Sequence, residues 1–486
     1  MGLPSIFRDS NALALLLFAS VLLFVNLDSI PLYTWDEARL AENAVEAAMD
    51  GHWFITHYEG KPDLWNTKPP LLIAVQAGLI LVIGPTELAI RLPSAIAAVL
   101  LLFFVFRFVK AESNSTVRAW LAAGMLCTSA LAMGHHNSRT GDYDALLCLF
   151  LFLGAVRFYR YLNLERTTDL YISALFFALA VLTKGIAGCL LFPSLAILLA
   201  ISGKLRQQLS KPSVYYASLF FLLPIAAYYL TREWAAPGYL QAVWTNELGG
   251  RFASTLEGNE GSFTYYFEHL FNGRFGYWWI FLLPSAYIAL QKKPFDKLTI
   301  SGFLLALPFL LVISFSKTKL EWYDLPALPF LAISASLILK EIIDSITRIN
   351  PAIPTYALLV LLFTLPVQQV WNQNYRPRAS LGSEKEYYFS ISSTLKSALR
   401  GHFNIDGFVI VHDESYQQFI FYEKALEQKG VHISKQSLEE LQPGDKVLAS
   451  MGHIKEELLR RFTTREILNH GHTMGYLLLE QKVFNN

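Results

Sequence analysis

Long uninterrupted apolar runs constrain this chain more than any other feature. A bilayer span needs about 20 predominantly apolar residues. Runs near that length occupy 11–27, 88–109, 117–135, 145–162, 168–183, 185–203, 213–230, 277–291, 297–315, 323–343 and 352–371. Composition agrees. Of 486 residues, 53% are hydrophobic and only 16% charged, against roughly 25% charged in a soluble domain. The fold class is therefore mainly α and polytopic. A net charge of +1 supplies no basic field for nucleic acid. The three cysteines, Cys127, Cys148 and Cys189, lie in apolar runs and read as small hydrophobes. The run Leu13–Leu27 follows Arg8 and lacks a small-residue cleavage site, so it reads as a retained signal anchor.

One further run, Pro70–Gly84, is short for a span and suits an interfacial helix. Charge decides the case. If 70–84 does not cross and the N-terminus is cytoplasmic, the basic clusters fall on the cytoplasmic side. They are Arg107, Lys110 and Arg118; Arg157, Arg160 and Arg166; Lys204, Arg206 and Lys211; Lys292, Lys293 and Lys297; Lys340 and Arg348. That is the positive-inside pattern. It leaves about eleven spans in a membrane domain over 1–371. Loops 28–87, 136–144, 231–276 and 316–322 then share the outer face with the tail, 372–486. The tail turns polar. Gly407–His412, Lys446–Ser450 and Tyr476–Leu479 read as strands, and Glu414–Lys429 and Glu456–Phe462 as helices. A small soluble α/β domain is expected there.

The outer loops hold the unusual polar residues. In Tyr33-Thr34-Trp35-Asp36-Glu37-Ala38-Arg39, Thr34 can cap a helix whose first turn carries Asp36 and Glu37. The helix then reads either as amphipathic and membrane-lying or as the mount for Asp36 as a general base. Lys68 precedes Pro69-Pro70 and can snorkel or hold a phosphate. His135-His136-Asn137-Ser138-Arg139-Thr140-Gly141-Asp142-Tyr143-Asp144 runs into an apolar segment. Carboxylates at a membrane edge are costly, yet a helix N-terminus favours them. Adjacent histidines share no helical face, so no zinc site is expected on His135 and His136.

Lys184 interrupts two apolar runs, as a structural hairpin lysine or a functional one. Arg232, Glu247, Arg251 and Arg274 lie among aromatics, with Arg251 a candidate phosphate fork. Lys317 and Lys319 stand on the outer side against the positive-inside trend, ahead of Glu321-Trp322-Tyr323. Acids plus cations on one face suit group transfer from a lipid phosphate, with cations stabilising the departing charge. A transporter or flippase of lipid-linked sugars, or a non-catalytic scaffold, remains open from these residues alone.

Six motifs occur in order: Trp35-Asp36-Glu37-Ala38-Arg39, Lys68-Pro69-Pro70, Arg91-Leu92-Pro93-Ser94, Asp144-Ala145-Leu146-Leu147, Leu182-Thr183-Lys184-Gly185 and Lys319-Leu320-Glu321-Trp322-Tyr323. Across roughly 28–330 the chain resembles the GT-C superfamily. It is similar to the bacterial aminoarabinose (lipid A) transferase and protein O-mannosyltransferase-like group. The resemblance implies an inverting glycosyltransferase using an undecaprenyl-phosphate or related polyprenyl-phosphate sugar. It implies a multi-pass protein of the bacterial inner membrane, acting in the cell envelope at the periplasmic or outer face, as in lipopolysaccharide modification. By resemblance, Asp36 and Asp144 are catalytic, and Lys68, Arg251, Tyr323 and Lys319 meet the donor phosphate. Glu37, Arg39, Arg139, Asp142, Lys184 and Lys317 are secondary candidates. The acceptor can be lipid A, a glycan or a protein. No ligand cluster demands a metal, although some superfamily members use a divalent ion.

Overall fold

The computed structural model describes residues 9–33, 35–133, 136–250, 258–375, 383–411, 418–450 and 452–482. In chain order the helices used below are α1 (Ser10–Phe24), α2 (Asp36–Asp50), α3 (Leu71–Ile83), α4 (Glu87–Ser113), α5 (Thr116–Cys127), α6 (Asp144–Leu164), α7 (Thr167–Lys184) and α8 (Phe192–Ile201). They continue as α9 (Pro212–Ala235), α10 (Leu282–Gln291), α11 (Lys297–Ser314), α12 (Leu328–Ile349), α13 (Thr355–Tyr375), α14 (Ser383–Leu399), α15 (Phe419–Glu427) and α16 (Gly452–Arg461). Two compact units emerge. One holds Met1–Val25, Asp63–Leu72 and Leu92–Arg376; the other holds Asn26–Pro62, Ile73–Arg91 and Pro377–Asn486.

The first unit is a helical bundle. Among the described residues, six segments are long and apolar enough to cross a membrane: Glu87–Ser113, Asp144–Leu164, Thr167–Cys189, Pro212–Ala235, Lys297–Ser314 and Glu321–Ile349. Each expected span carries helix, but several are broken. Thr128 ends α5 early, and Gly185–Cys189, Gly276–Phe281 and Glu321–Ala327 are 3-10 turns leading into α8, α10 and α12. Such breaks are tolerated at membrane depth only where neighbouring groups satisfy the freed backbone. Close packing supplies those neighbours. A Cβ on Gly302 of α11 would stand 2.7 Å from the Phe330 carbonyl oxygen of α12. A Cβ on Gly188 would stand 2.7 Å from the Val181 Cα. Glycine lets these backbones approach. At the ends of α5 and α11, Arg118 donates to both carboxylate oxygens of Asp296 at 2.8 and 2.9 Å, and to Thr299 and Ser336.

The second unit contains the expected tail sheet, but its boundaries differ from a free-standing tail. Residues 26–62 and 73–91 belong to the same compact unit as the tail. Strands β1 (His57–Tyr58) and β2 (Lys61–Pro62) form a small hairpin. The main sheet has the order β4-β3-β5-β7-β6, from β3 (Phe408–Val411), β4 (Ile433–Gln436), β5 (Lys446–Ala449), β6 (Phe462–His470) and β7 (Thr473–Gln481). The pairs β4–β3 and β3–β5 are parallel, while β5–β7 and β7–β6 are antiparallel. The expected strands at 407–412, 446–450 and 476–479 coincide with β3, β5 and β7. The expected helices at 414–429 and 456–462 coincide with α15 and α16, apart from 412 and 414–417, which lie outside the described residues.

Helix α2 departs from a membrane-lying amphipathic helix. Its expected cap, Thr34, lies outside the described residues. Glu42 and Glu46, which a lying helix would turn toward water, are 0% and 2% exposed. They accept the backbone N–H groups of Glu59 and Gly60 in the β1–β2 turn, at 2.8 and 2.9 Å. The N–H groups of that tight turn need acceptors, and the two carboxylates, one helical turn apart, provide them. Glu37 and Arg91 form a second anchor. Arg91 Nε donates to Glu37 Oε1 at 2.7 Å, and the guanidinium also donates to the carbonyls of Leu27, Ile30 and Pro31. Lys396 pairs with Glu87 at 3.1 Å, and the Tyr422 hydroxyl donates to Glu87 at 2.8 Å.

Burial pushes the Glu42 carboxyl up to about 9. Its folded pKa thus lies above its unfolded value, so its contribution to stability is complete below pH 4.5 and is lost as pH rises through about 9. The E42Q variant keeps the acceptor for Glu59 and removes the charge. It should unfold at higher temperature than the native protein at pH 8 and at the same temperature at pH 4. The difference should grow by at most about 1.4 kcal/mol per pH unit between those limits. Unfolding midpoints across pH in detergent measure it.

Candidate active site

A rigid loop in the first unit presents Lys68. Asp63 Oδ1 accepts the backbone N–H groups of Trp65 and Asn66, both at 3.0 Å, closing a local turn. Arg232 of α9 donates to the Asp63 carbonyl at 3.1 Å, and the Tyr239 hydroxyl donates to the Thr67 carbonyl at 2.6 Å. Asn66 donates to the Tyr143 hydroxyl at 3.0 Å. The loop is held on three sides before Pro69 and Pro70 introduce α3. Lys68 Nζ pairs with Glu247 at 3.2 Å, and its side chain is 16% exposed. Thr67 donates to the same carboxylate at 3.1 Å. Glu247 sits on a π-helical turn, Trp244–Gly249. Wide turns of this kind concentrate at functional sites.

Asp144 opens α6, where the helix dipole favours a carboxylate. Lys184 ends α7 and donates to Asp144 at 2.5 Å. Both side chains are nearly sealed, at 2% and 7% exposed. The Lys184 ammonium also stands 5.4 Å from the Tyr323 ring centre. Lys68, Asp144, Lys184, Glu247, Ser316 and Tyr323 line one cavity of about 60 Å³, floored by Leu147, Phe309 and Ile313. That is well under the roughly 300–1,000 Å³ of a ligand cleft. As it stands, the cavity has room for a single small group beside two lysines, each already paired with a carboxylate.

A polar border surrounds it. His136 stacks on Trp322 with centroids 3.5 Å apart. Its Nδ1 lies 3.4 Å from Asp142 and 3.8 Å from Asp144. Ser94 donates to the Asp142 carbonyl at 2.8 Å and fixes this segment to α4. Arg274 pairs with the fully buried Asp324 at 2.8 Å. Burial opposes the Arg274 charge, but Asp324 outweighs it and raises the guanidinium above its ordinary value. Among the described residues no three metal-ligating side chains converge.

The structure thus brings Lys68, Asp144, Lys184 and Tyr323 together. Other candidates stand elsewhere. Lys319 points its ammonium at the carbonyls of Ile313, Ser314 and Ser316, closing the end of α11, and burial pushes its pKa down. Arg139 donates to the carbonyls of Leu23 and Val25 beyond α1 and lies over the Tyr375 ring. Lys317 is exposed. Arg251 falls outside the described residues. Asp36, Glu37 and Arg39 belong to the second unit. Asp36 is half-buried in the first turn of α2, Glu37 is bound to Arg91, and Arg39 covers the Tyr58 ring at 3.8 Å. Glu247, His136 and Asp324 are the neighbours that sequence reasoning did not assign. Glu247 and His136 were visible as polar residues of the outer loops, and Asp324 as an acid directly after Tyr323.

Comparison with known proteins bears on this geometry. Residues 67–229, about a third of the chain, match the family described as dolichyl-phosphate-mannose-protein mannosyltransferase. No curated protein sequence matches the chain. Two crystal structures of ArnT from Cupriavidus metallidurans are similar in fold. The form bound to undecaprenyl phosphate superposes with a TM-score of 0.69 at 14% identity, covering 96% of this chain and 97% of that one. The apo form gives 0.66 at 13% identity with the same coverage. The chain has the GT-C fold of membrane glycosyltransferases and is a multi-pass membrane protein.

The Asp144–Lys184 pair gives a direct stability test. K184M leaves a buried uncompensated carboxylate and should cost about 3–5 kcal/mol. K184M/D144N should recover most of that loss. Equal unfolding midpoints for K184M and the native protein in detergent would contradict the pairing.

Proposed function

We propose that this GT-C-fold protein is an inverting glycosyltransferase that moves a sugar from a polyprenyl-phosphate donor to an acceptor at the outer face of the membrane. One observation carries the proposal: Lys68 and Lys184 flank a phosphate-sized cavity at the end of the bundle, in a fold shared with a protein crystallised with undecaprenyl phosphate. The reaction makes that chemistry necessary. An acceptor oxygen attacks the anomeric carbon from the face opposite the donor phosphate. The carbon–oxygen bond to phosphate breaks, and the phosphodiester leaves as a monoester with one more negative charge. Cations at the departing oxygens stabilise charge that exists only late in the step.

The two cations differ in availability. Lys184 is sealed against Asp144, whereas Lys68 and Glu247 are both partly exposed. An arriving phosphate therefore competes with Glu247 for Lys68. It gives the lysine a monoanionic phosphodiester partner, which becomes dianionic as the sugar departs, and releases Glu247 toward solvent. Lys184 sets the potential of the cavity floor, and Asp144 keeps it from being an unpaired buried charge. Tyr323 offers a hydroxyl at the same cavity. Arg251 keeps the phosphate contact that resemblance gives it, whereas Lys319, turned to the carbonyls at the end of α11, acts on the site through the chain end it braces. Asp36 is assigned the acceptor by resemblance. For a hydroxyl acceptor it takes the proton, and for a phosphate acceptor, already ionised, it orients. The acceptor is a lipid A phosphate, a glycan or a protein hydroxyl. Transport of lipid-linked sugars is the less favoured reading, because the acids gather at helix ends rather than at mid-membrane.

The test is transfer of label. Purified protein with radiolabelled polyprenyl-phosphate sugars and a membrane extract should label an acceptor. K68M should lower kcat/KM for the donor at least 100-fold, on the scale of removing one charge-stabilising group. D36N should abolish transfer to a hydroxyl acceptor while leaving donor binding intact. Undiminished transfer in K68M would remove Lys68 from the mechanism. No labelled product with any donor would count against the transferase reading.

A further inference from the structure

A second cavity of the first unit shares no lining residue with the candidate active site. It encloses about 590 Å³ and is lined at its base by Arg118, Tyr159 and Asp296, and at its rim by Arg160, Lys297 and Lys340. Its position follows from helix geometry. Asp144 begins α6, and Arg160 lies sixteen residues further on, about 24 Å along the axis. On α11, Ile313 lines the active-site cavity and Lys297 lines this one, again sixteen residues apart. Tyr323 and Lys340 are divided in the same way along the segment Glu321–Ile349. The two cavities thus occupy opposite ends of the same three helices. Their separation approaches the roughly 30 Å of a bilayer's hydrocarbon core.

The charge of the lining is unbalanced. The base is neutral, because Arg118 is spent on Asp296. Lys292 binds Glu341 at 2.7 Å, and Lys340 bridges Glu341 and Asp344 at 3.4 and 2.6 Å. Arg160 and Lys297 remain, with the Glu112 carboxylate of the same lining near enough to feel the Arg160 charge, so the balance of the lining is still positive. Among the described residues neither enters an ion pair. Apolar side chains flank them at the rim, with Phe295 58% exposed and Leu164 53% exposed. A free anionic metabolite would make no use of those two side chains, whereas an amphiphile would use both the cations and the apolar flank.

We propose that this cavity binds the phosphate head group of an anionic phospholipid from the leaflet opposite the active-site cavity. Arg160 presents a planar fork to the phosphate oxygens, and Lys297 adds a point charge beside it. Phe295 and Leu164 lie against the first methylenes of the acyl chains. Basic pockets between transmembrane helices recognise anionic head groups in this way. The proposal does not depend on the glycosyltransferase reading.

The experiment uses the full-length protein exchanged into mixed phosphatidylglycerol and phosphatidylcholine nanodiscs. The lipids that stay bound after detergent extraction are counted by mass spectrometry. Native protein should retain phosphatidylglycerol preferentially. R160Q and K297Q should each reduce that preference about fivefold, the effect of one basic residue near an anionic surface. R160K should retain most of it, which guards against a folding defect. K293Q removes an exposed lysine outside the lining and should change nothing. Equal retention of both lipids by the native protein would overturn the proposal. An equal drop in K293Q would also overturn it, by reducing the effect to surface charge. Displacement of phosphatidylglycerol by millimolar inorganic phosphate would overturn the lipid assignment in favour of a free-phosphate site.

Discussion

A charge taken out of water must find its partner inside the protein, and most of the first unit's polar architecture follows from that cost. The effective penalty is several kcal/mol for each ion, even after relaxation. Lys184 and Asp144, Arg274 and Asp324, and Arg118 and Asp296 are each joined in pairs. Each pair ties the end of one helix to another element, so the pairs also set the register of the bundle. Where the pairing is sealed, as at Asp144, the group is fixed. Where it is partly open, as at Lys68 and Glu247, the partner can be exchanged for a ligand. Availability to chemistry is therefore graded by burial within a single cavity.

The backbone obeys the same constraint. Spans broken by 3-10 turns at Gly185–Cys189 and Glu321–Ala327 border the Lys68 cavity. Broken helices survive in a membrane where they line a polar cavity, since the freed backbone groups then have partners. Lys319 illustrates the remedy by donating to three carbonyls at the end of α11. The turn that bears Ser316 and Tyr323 is shaped by that lysine.

Much of the fold was legible because apolar runs and helices coincide in a membrane chain. The interruption at Lys184 was legible as a polar residue between two apolar runs, but the breaks at Thr128 and Pro326 were not, because either residue is compatible with a continuous or an interrupted helix in sequence. In the tail, β3, β5 and β7 announced themselves by branched and apolar residues. Strand β4, Ile433–Gln436, has a polar half-exposed pattern, and β6 alternates polar residues at the sheet edge, so neither carries a buried-strand signature. At the site, Lys68, Asp144, Lys184 and Tyr323 were legible as costly polar residues at apolar boundaries. Their partners were less so. The contact of Lys68 with Glu247 joins positions about 180 residues apart, and no local pattern records it. Lys319 and Arg139 resemble ligand cations in sequence, because a lysine or arginine beside a helix end serves a phosphate or a row of carbonyls equally well.

The central claim is that the Lys68 cavity receives the donor phosphate. The most direct measurement is the affinity of a polyprenyl monophosphate for the purified protein in nanodiscs, compared among native, K68M and E247Q proteins. The account predicts at least tenfold weaker binding in K68M, the loss of one charge-assisted contact. It predicts tighter binding in E247Q, where the competing carboxylate is gone. Equal affinity in all three proteins would place the phosphate elsewhere and contradict the account.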